Sequence, residues 1–299
     1  MSDDEESRFL NTHEVAQYLR LKERTVYELV RARQIPSVRV AGKWLFPRDL
    51  IERWLEENTD ASPLAGRAQA TPLVLAGSHD PLLEWAVRES GCGLALLCDG
   101  SEDGLRRIDR REAMLAAIHL FEPESGRYNV DEFDALTHRR AFVLVQWATR
   151  RQGLLVAPGS AGAPGGLADA VRAGARLIAR QPGSGGRRLL DHLLAREGVD
   201  PAQVRWAQGV ARSETDVATA LVEGRADAGL AIESVARQHQ LEFVPLHEER
   251  VDLLVRRFDW FEPPIQALMT FCASETFRAR AAALPGYDAS GFGRVLRNG

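Results

Sequence analysis

Four short turns beyond residue 72 each place a hydroxyl side chain just ahead of a helical stretch. They are Gly77-Ser78-His79-Asp80-Pro81, Asp99-Gly100-Ser101-Glu102-Asp103-Gly104, Arg180-Gln181-Pro182-Gly183-Ser184-Gly185-Gly186 and Ser213-Glu214-Thr215. A helix N-terminus carries unpaired backbone N–H groups and the positive end of the helix dipole, so a hydroxyl added there completes a seat for a small anion. Ser78, Ser101, Ser184 and Thr215 are therefore candidate ligand contacts. Arg180 and Arg187 flank the third turn, either as added positive charge or as partners of surface carboxylates. One serine in such a place is ordinarily a helix cap. Four on one chain point to binding, provided that the fold brings them together.

Catalytic readings of the same residues fail on spacing. His79 and Asp80 adjoin Ser78, but consecutive residues do not form a nucleophile–base–orienter triad. No Gly-x-Ser-x-Gly elbow exists either, since Pro182 stands first around Ser184. His119 has Glu122 and Glu124 nearby in HLFEPESGRYN but no second histidine at helical ligand spacing. Pro123 and Gly126 make that segment a turn, so a structural or cleft-edge role outranks a metal site. Phosphate-loop, dinucleotide and kinase motifs are absent. The expectation is a non-enzyme with no cofactor and no metal.

The turns need elements to hold them. Leu73–Ala76, Leu94–Leu97, Phe142–Val145, Leu154–Val156, Ala175–Ile178, Ala228–Ile232, Phe243–Leu246 and Asp252–Val255 read as buried strands. Helical stretches between them are clearest at Arg187–Glu197 and Thr215–Glu223. This alternation predicts an α/β domain with a largely parallel sheet, whose ligands gather at the carboxyl ends of the strands.

Residues 9–57 read differently. Thr12 is placed to cap a helix with Val15, Ala16 and Leu19 on one face; Thr25–Arg31 is a second helix after a tight polar turn. Val38–Val40 and Lys43–Phe46 flank Ala41-Gly42 as a small hairpin, and Pro47-Arg48-Asp49 opens a third helix. Two short helices and a wing form a winged helix-turn-helix. Between this module and the α/β domain, residues 58–71 (NTDASPLAGRAQAT) lose periodicity and read as a linker.

Charge divides along the same line. The 299 residues hold 38 basic and 42 acidic side chains, a net −4 that excludes a wholesale basic coat. From Arg8 to Trp54, however, ten basic residues face five acidic ones, a net +5, and both lysines of the chain, Lys22 and Lys43, lie there. A basic helix-turn-helix suits a recognition helix in the major groove with phosphate contacts beside it. Length alone allows roughly two domains at about 100–200 residues each. The scattered Cys92, Cys98 and Cys272 give no disulfide framework, and neither a secretory leader nor a membrane span is readable. A cytoplasmic protein is expected.

LNTHEVAQYLRLKERTVYELVRARQIPSVRVAGKWLFPRDLIERWL resembles the excisionase-type winged helix-turn-helix domains of the mercury-resistance-regulator superfamily. The resemblance implies Arg24, Thr25, Tyr27 and Arg31 near double-stranded DNA, with Arg39, Lys43 and Arg48 on phosphates. Trp44 is assigned to wing and core packing. GSHDPLL, HLFEPESGRYNV, RQGLLVAPG, RQPGSGGRRLLDHLL, SETDVATALVEGRADAGLAIE and FVPLHEERVDLLV resemble the type II periplasmic-binding-protein superfamily, as fused behind helix-turn-helix domains in bacterial regulators. That implies a two-lobed α/β domain closing on a ligand in its cleft. Molybdate- and tungstate-binding members hold an oxyanion with neutral hydroxyl and backbone donors, types that Ser78, Ser101, Ser184 and Thr215 match. Two departures stand out. Gly183-Ser184-Gly185-Gly186-Arg187 replaces the frequent Gly-Ser-Gly-Thr-Arg, and the second turn carries Asp99, Glu102 and Asp103.

The chain is thus expected to be a one-component transcription regulator with a DNA-binding domain at 1–57, a linker at 58–71 and a sensor at 72–299. The expected effector is a small oxyanion, molybdate or tungstate being favoured, and the expected assembly a homodimer. A small organic metabolite as effector is the first alternative. An enzyme of molybdenum-cofactor handling with a DNA-binding module is the second.

Overall fold

The computed structural model describes residues 9–32, 34–40, 42–57, 71–136, 139–157 and 165–299. Contacts divide the chain into two units, Met1–Ala70 and Thr71–Gly299. The expected linker lies, up to residue 70, outside the described residues, as do Arg8, Arg33, Ala41 and the side chain of Arg53.

In the first unit β1 (Phe9–Asn11) leads into α1 (Thr12–Tyr18), α2 (Glu23–Arg31), β2 (Val38–Val40), β3 (Lys43–Pro47) and α3 (Arg48–Glu57). The cap of α1 is Asn11 rather than Thr12. Its side chain accepts from the Glu14 N–H at 3.0 Å, while Glu14 accepts from the Asn11 N–H at 2.8 Å, a reciprocal capping box. Val15, Ala16, Val26, Val30, Ile35, Phe46 and Ile51 meet in the core. The hairpin of β2 and β3 forms as expected, and β1 adds a third strand on the far side of β3. Three residues carry too short a period for that strand to be read from sequence.

The second unit begins with β4 (Val74–Gly77), α4 (Pro81–Ser90), β5 (Ala95–Leu97), α5 (Ser101–Asp109) and β6 (Leu115–Ile118). A small hairpin follows, β7 (Phe121–Glu122) and β8 (Arg127–Tyr128), then α6 (Val130–Ala135) and the long β9 (Phe142–Val156). Next come α7 (Leu167–Arg172), β10 (Arg176–Ile178), α8 (Gly185–Arg196), β11 (Arg205–Trp206), α9 (Glu214–Val222), β12 (Ala228–Ile232), α10 (Glu233–Gln238) and the equally long β13 (Glu242–Arg256). The unit closes with α11 (Pro263–Cys272), α12 (Glu275–Ala283), β14 (Tyr287–Asp288) and β15 (Val295–Asn298).

One sheet runs β11-β10-β12-β9-β13-β6-β4-β5, with β14 and β15 also on β9. The largely parallel sheet expected from the alternation is found only in part. β4, β5 and β6 are mutually parallel, as are β10, β11 and β12, but β9 and β13 run antiparallel to their neighbours. The four separate strands expected at 142–145, 154–156, 243–246 and 252–255 are the ends of these two 15-residue strands. They pair from Glu242↔Val156 to Arg256↔Phe142, with register shifts at Pro245/His247 and Val251/Asp252.

This two-stranded ribbon joins two lobes. Asp252–Val255 pairs with β6 in lobe 1, whereas Gln152–Val156 pairs with β12 in lobe 2. Leu75, Leu83, Leu115, Trp147, Leu253 and Phe277 pack one face of lobe 1, and Ile108, Phe133, Phe142 and Leu144 the other. Lobe 2 packs Leu177, Leu189, Leu193 and Leu230 against α8, and Ile178, Val217, Leu221 and Ile232 against α9. Among the described residues no helix is long and apolar enough to cross a membrane.

Candidate functional site

On the first unit, α2 turns Val26 and Val30 into the core and leaves Arg24, Tyr27 and Arg31 exposed, with Thr25 half-buried. Arg24 is 89% exposed and its Nε lies 3.0 Å from Glu28, one turn on. On the wing Lys43 is exposed and the Arg39 guanidinium sits 5.5 Å from the centroid of the half-buried Trp44 ring. Arg48 lies over the Tyr18 ring at 5.7 Å and 3.5 Å from Glu52. Arg24, Arg31, Arg39 and Lys43 thus stand in solvent on the helix and wing, while Arg48 is held against α1.

In the second unit the turns from the two lobes meet. Ser78 and Ser101 are buried with their hydroxyls 2.6 Å apart, and Ser101 Oγ accepts from the His119 N–H at 3.1 Å. Across from them, Ser184 caps α8: its Oγ accepts from the Arg187 N–H at 3.1 Å and donates to the Gln181 carbonyl at 2.8 Å. The lobes touch directly, since the Glu102 N–H donates to the Gly183 carbonyl at 3.1 Å. A Cβ at Gly100 would come within 3.4 Å of Ser184 Cα, and one at Gly185 within 2.2 Å of the His119 carbonyl oxygen. Glycine at both positions is what lets the two helix N-termini approach.

Of the other candidates, Arg180 is buried beside this junction and Arg187 is not. Arg187 pairs with Asp191 at 2.9 Å and lies over Trp206 at 5.3 Å. Thr215 is half-buried on α9, and the residue before it, Glu214, is the one the fourth turn sends inward. The acidity of the second turn is spent elsewhere: Asp99 and Glu102 are exposed and Asp103 pairs with Arg106 at 2.8 Å. His79 pairs with Glu84 at 3.1 Å rather than with Ser78.

The cleft floor is the crossover of the ribbon, and sequence reading missed it. Arg150 and Gln152 on β9, with Glu249 on β13, are all buried. Arg150 donates to Glu249 at 2.5 Å and to Asp80 at 2.7 Å; Tyr287 also donates to Asp80, at 2.8 Å. His119 Nδ1 lies 2.7 Å from Glu249 Oε2, and a carboxylate only accepts, so the ring nitrogen is the donor. Gln152 Nε2 donates to Glu249 at 3.0 Å and to Glu214 at 3.3 Å, and Arg180 donates to Glu214 at 3.0 Å. Two guanidinium groups therefore face three carboxylates.

At Glu249 and Arg150 burial works against charge, but the partners win. Burial raises the Glu249 carboxyl, yet Arg150 and then His119 outweigh it and hold the group far below the ordinary range. For Arg150 burial favours the neutral form, and Glu249 and Asp80 reverse that. Tyr287 is pushed well up by burial and then by Asp80. Buried ion pairs of this kind fix geometry rather than adding net stability.

The signal for these residues was weak. Arg150 and Glu249 sit in TRRQ and HEER, charged runs that fall between the β-prone stretches expected on either side.

Residues 83–273, more than half of the chain, match the PBP superfamily domain, and residues 9–59 match a helix-turn-helix domain. Along nearly the full length the chain is similar to the uncharacterized protein YvgK of Bacillus subtilis (strain 168). The two are 27% identical over 95% of this chain and 96% of the relative. The fold is similar to a putative phosphate ABC transporter substrate-binding protein with bound phosphate from Clostridium perfringens. That likeness has a TM-score of 0.55 at 11% identity, over 70% of this chain and 96% of the other. A weaker likeness, TM-score 0.48 at 14% identity over 69% and 95%, is to the tungstate ABC transporter from Geobacter sulfurreducens.

Proposed function

The chain belongs to the PBP superfamily domain family and carries a helix-turn-helix domain ahead of that domain, and we propose that it is a one-component transcription regulator. The first unit binds double-stranded DNA through α2 and the wing, and the cleft of the second unit takes a small anionic effector. The observation that supports this most is the buried Ser78–Ser101 pair at the N-termini of α4 and α5, facing Ser184 at the N-terminus of α8. The N-termini of α5 and α8, with Ser78 just ahead of α4, supply backbone N–H groups and positive dipole ends that suit an oxyanion. Among inorganic ions, molybdate or tungstate is the favoured effector.

Closure of the lobes is the expected response. In a homodimer, closure would alter the separation of the two recognition helices, and half-site separation sets affinity for DNA. Light scattering that finds a monomer with and without DNA would remove the dimer from this scheme.

A calorimetric and thermal-shift panel of molybdate, tungstate, sulfate, phosphate and small carboxylates tests the effector. Stabilisation by molybdate or tungstate, weakened by roughly 1–3 kcal/mol in Ser78→Ala, is the expected result. Stabilisation by carboxylates or uncharged organic compounds alone would sink the oxyanion reading. An organic effector is favoured by one observation: Asp80, Glu214 and Glu249 already balance Arg150 and Arg180, so the floor offers a dianion no surplus positive charge.

A further inference from the structure

Beside the serine junction, three buried polar atoms have no hydrogen-bond partner: Gln152 Oε1, Tyr128 Oη and His247 Nε2. They belong together. Gln152 and His247 are opposite one another across β9 and β13, and the Tyr128 ring lies 5.9 Å from the His247 ring. The Tyr128 hydroxyl is pushed well up, first by burial and next by Glu249, the carboxylate that Gln152 contacts. Gln152 is fully buried and Tyr128 is 5% exposed.

The orientation of Gln152 is fixed by its surroundings. Both Glu249 and Glu214 require its amide nitrogen, so its oxygen must point the other way, as an acceptor with nothing to accept. A buried acceptor left in this state costs free energy that a ligand donor recovers. Burial also keeps His247 neutral by lowering it, so its imidazole adds a donor or an acceptor but no charge. Phe121 packs against the rings of Tyr128 and His247 at 5.2 and 5.0 Å and walls the position with apolar surface. A lone charge is poorly served here. A hydroxyl or amide, which both donates and accepts, matches all three atoms.

We propose that Gln152, Tyr128 and His247 form a second position in the cleft, for an uncharged hydroxyl or amide. The effector is then an organic molecule that joins such a group to the anionic end seated at Ser78 and Ser101. The two positions lie on either side of the His119–Glu249 pair, linked through it by hydrogen bonds of 3.1, 2.7 and 3.0 Å. This rests on the cleft being the effector site.

The test titrates the full-length protein with inorganic phosphate and molybdate on one side and glycerol 3-phosphate and 3-phosphoglycerate on the other. The expected result is tighter binding of a hydroxylated ester than of either inorganic ion. Tyr128→Phe should erase that advantage, a loss of about tenfold or more, while leaving phosphate binding unchanged; Ser78→Ala should weaken both classes. Binding of the inorganic ions with exclusion of both esters overturns the second position and keeps the oxyanion reading. Binding of neither class overturns the cleft reading, and this inference with it. A second readout needs no ligand: Tyr128→Phe should melt at or above the wild-type temperature, because the lost hydroxyl had no partner. A drop of several degrees would mean that the protein itself uses the hydroxyl, and the proposal would fail.

Discussion

Arg150 is fully buried on a strand and holds Asp80 and Glu249 at once, so the cost of losing it lies in what it leaves behind. Arg150→Met should destabilise the protein by about 3–5 kcal/mol, read from urea denaturation, because two buried carboxylates would lose the guanidinium that balances them. Asp252 behaves differently. Burial, against the opposing pull of Arg250 and Asn129, pushes its carboxyl up to about 6. The folded protein then keeps this proton where an unfolded chain, titrating at about 3.9, has released it. Stability from this group is therefore present below about pH 4 and lost as pH rises to about 6. Comparing urea midpoints of the wild type and Asp252→Asn from pH 4 to 7 checks this. The wild-type advantage should shrink up to about pH 6 and then stay level. Asp252 already stood in a stretch that reads as a buried strand, but Arg150 was not legible as buried, because a charged side chain in the polar run TRRQ has no partner until residues far along the chain are placed.

At the scale of elements, the turns were legible and their convergence was not. Glycine and serine ahead of apolar helical runs mark helix starts by local chemistry alone, and α5, α8 and α9 begin within two residues of their expected turns. The strand β6 went unread because Leu-Ala-Ala-Ile holds one β-branched residue and no alternation. The long β9 and β13 were broken in the reading at their charged centres, where the ion network now sits. One contact between lobes is open to direct trial. Gly185 has ordinary helical neighbours, yet a Cβ there would strike the His119 carbonyl. Gly185→Ala should fold but hold the lobes apart. Small-angle scattering should report a larger radius of gyration than the wild type, and effector-induced stabilisation should vanish. An unchanged radius would show that the junction tolerates the methyl group.

For the whole molecule, charge separates two tasks. The exposed Arg24, Arg31, Arg39 and Lys43 give the first unit an electrostatic footprint that binding to any duplex would use. With a mixed-sequence duplex, Lys43→Ala should weaken binding and lower the salt-dependence slope by about 1, as one phosphate contact is lost. Fluorescence anisotropy across a salt series measures this; an unchanged slope would place Lys43 off the DNA. Arg48, packed on Tyr18 and near Glu52, should change the slope less.

The sequence by itself determined the two-part plan, the winged helix-turn-helix, the α/β class of the larger domain and the serine-bearing turns. Each of these depends on local periodicity, helix starts and resemblance carried by contiguous motifs. Only the tertiary structure decided that Ser78 and Ser101 share a hydrogen bond, that Glu214 rather than Thr215 faces the cleft, and that Arg150 and Glu249 form its floor. The serine pair follows from the parallel pairing of β4 with β5, and the floor from the pairing of β9 with β13, which brings together side chains 99 positions apart. Burial then gives opposite charges a partner that no nearby residue announces.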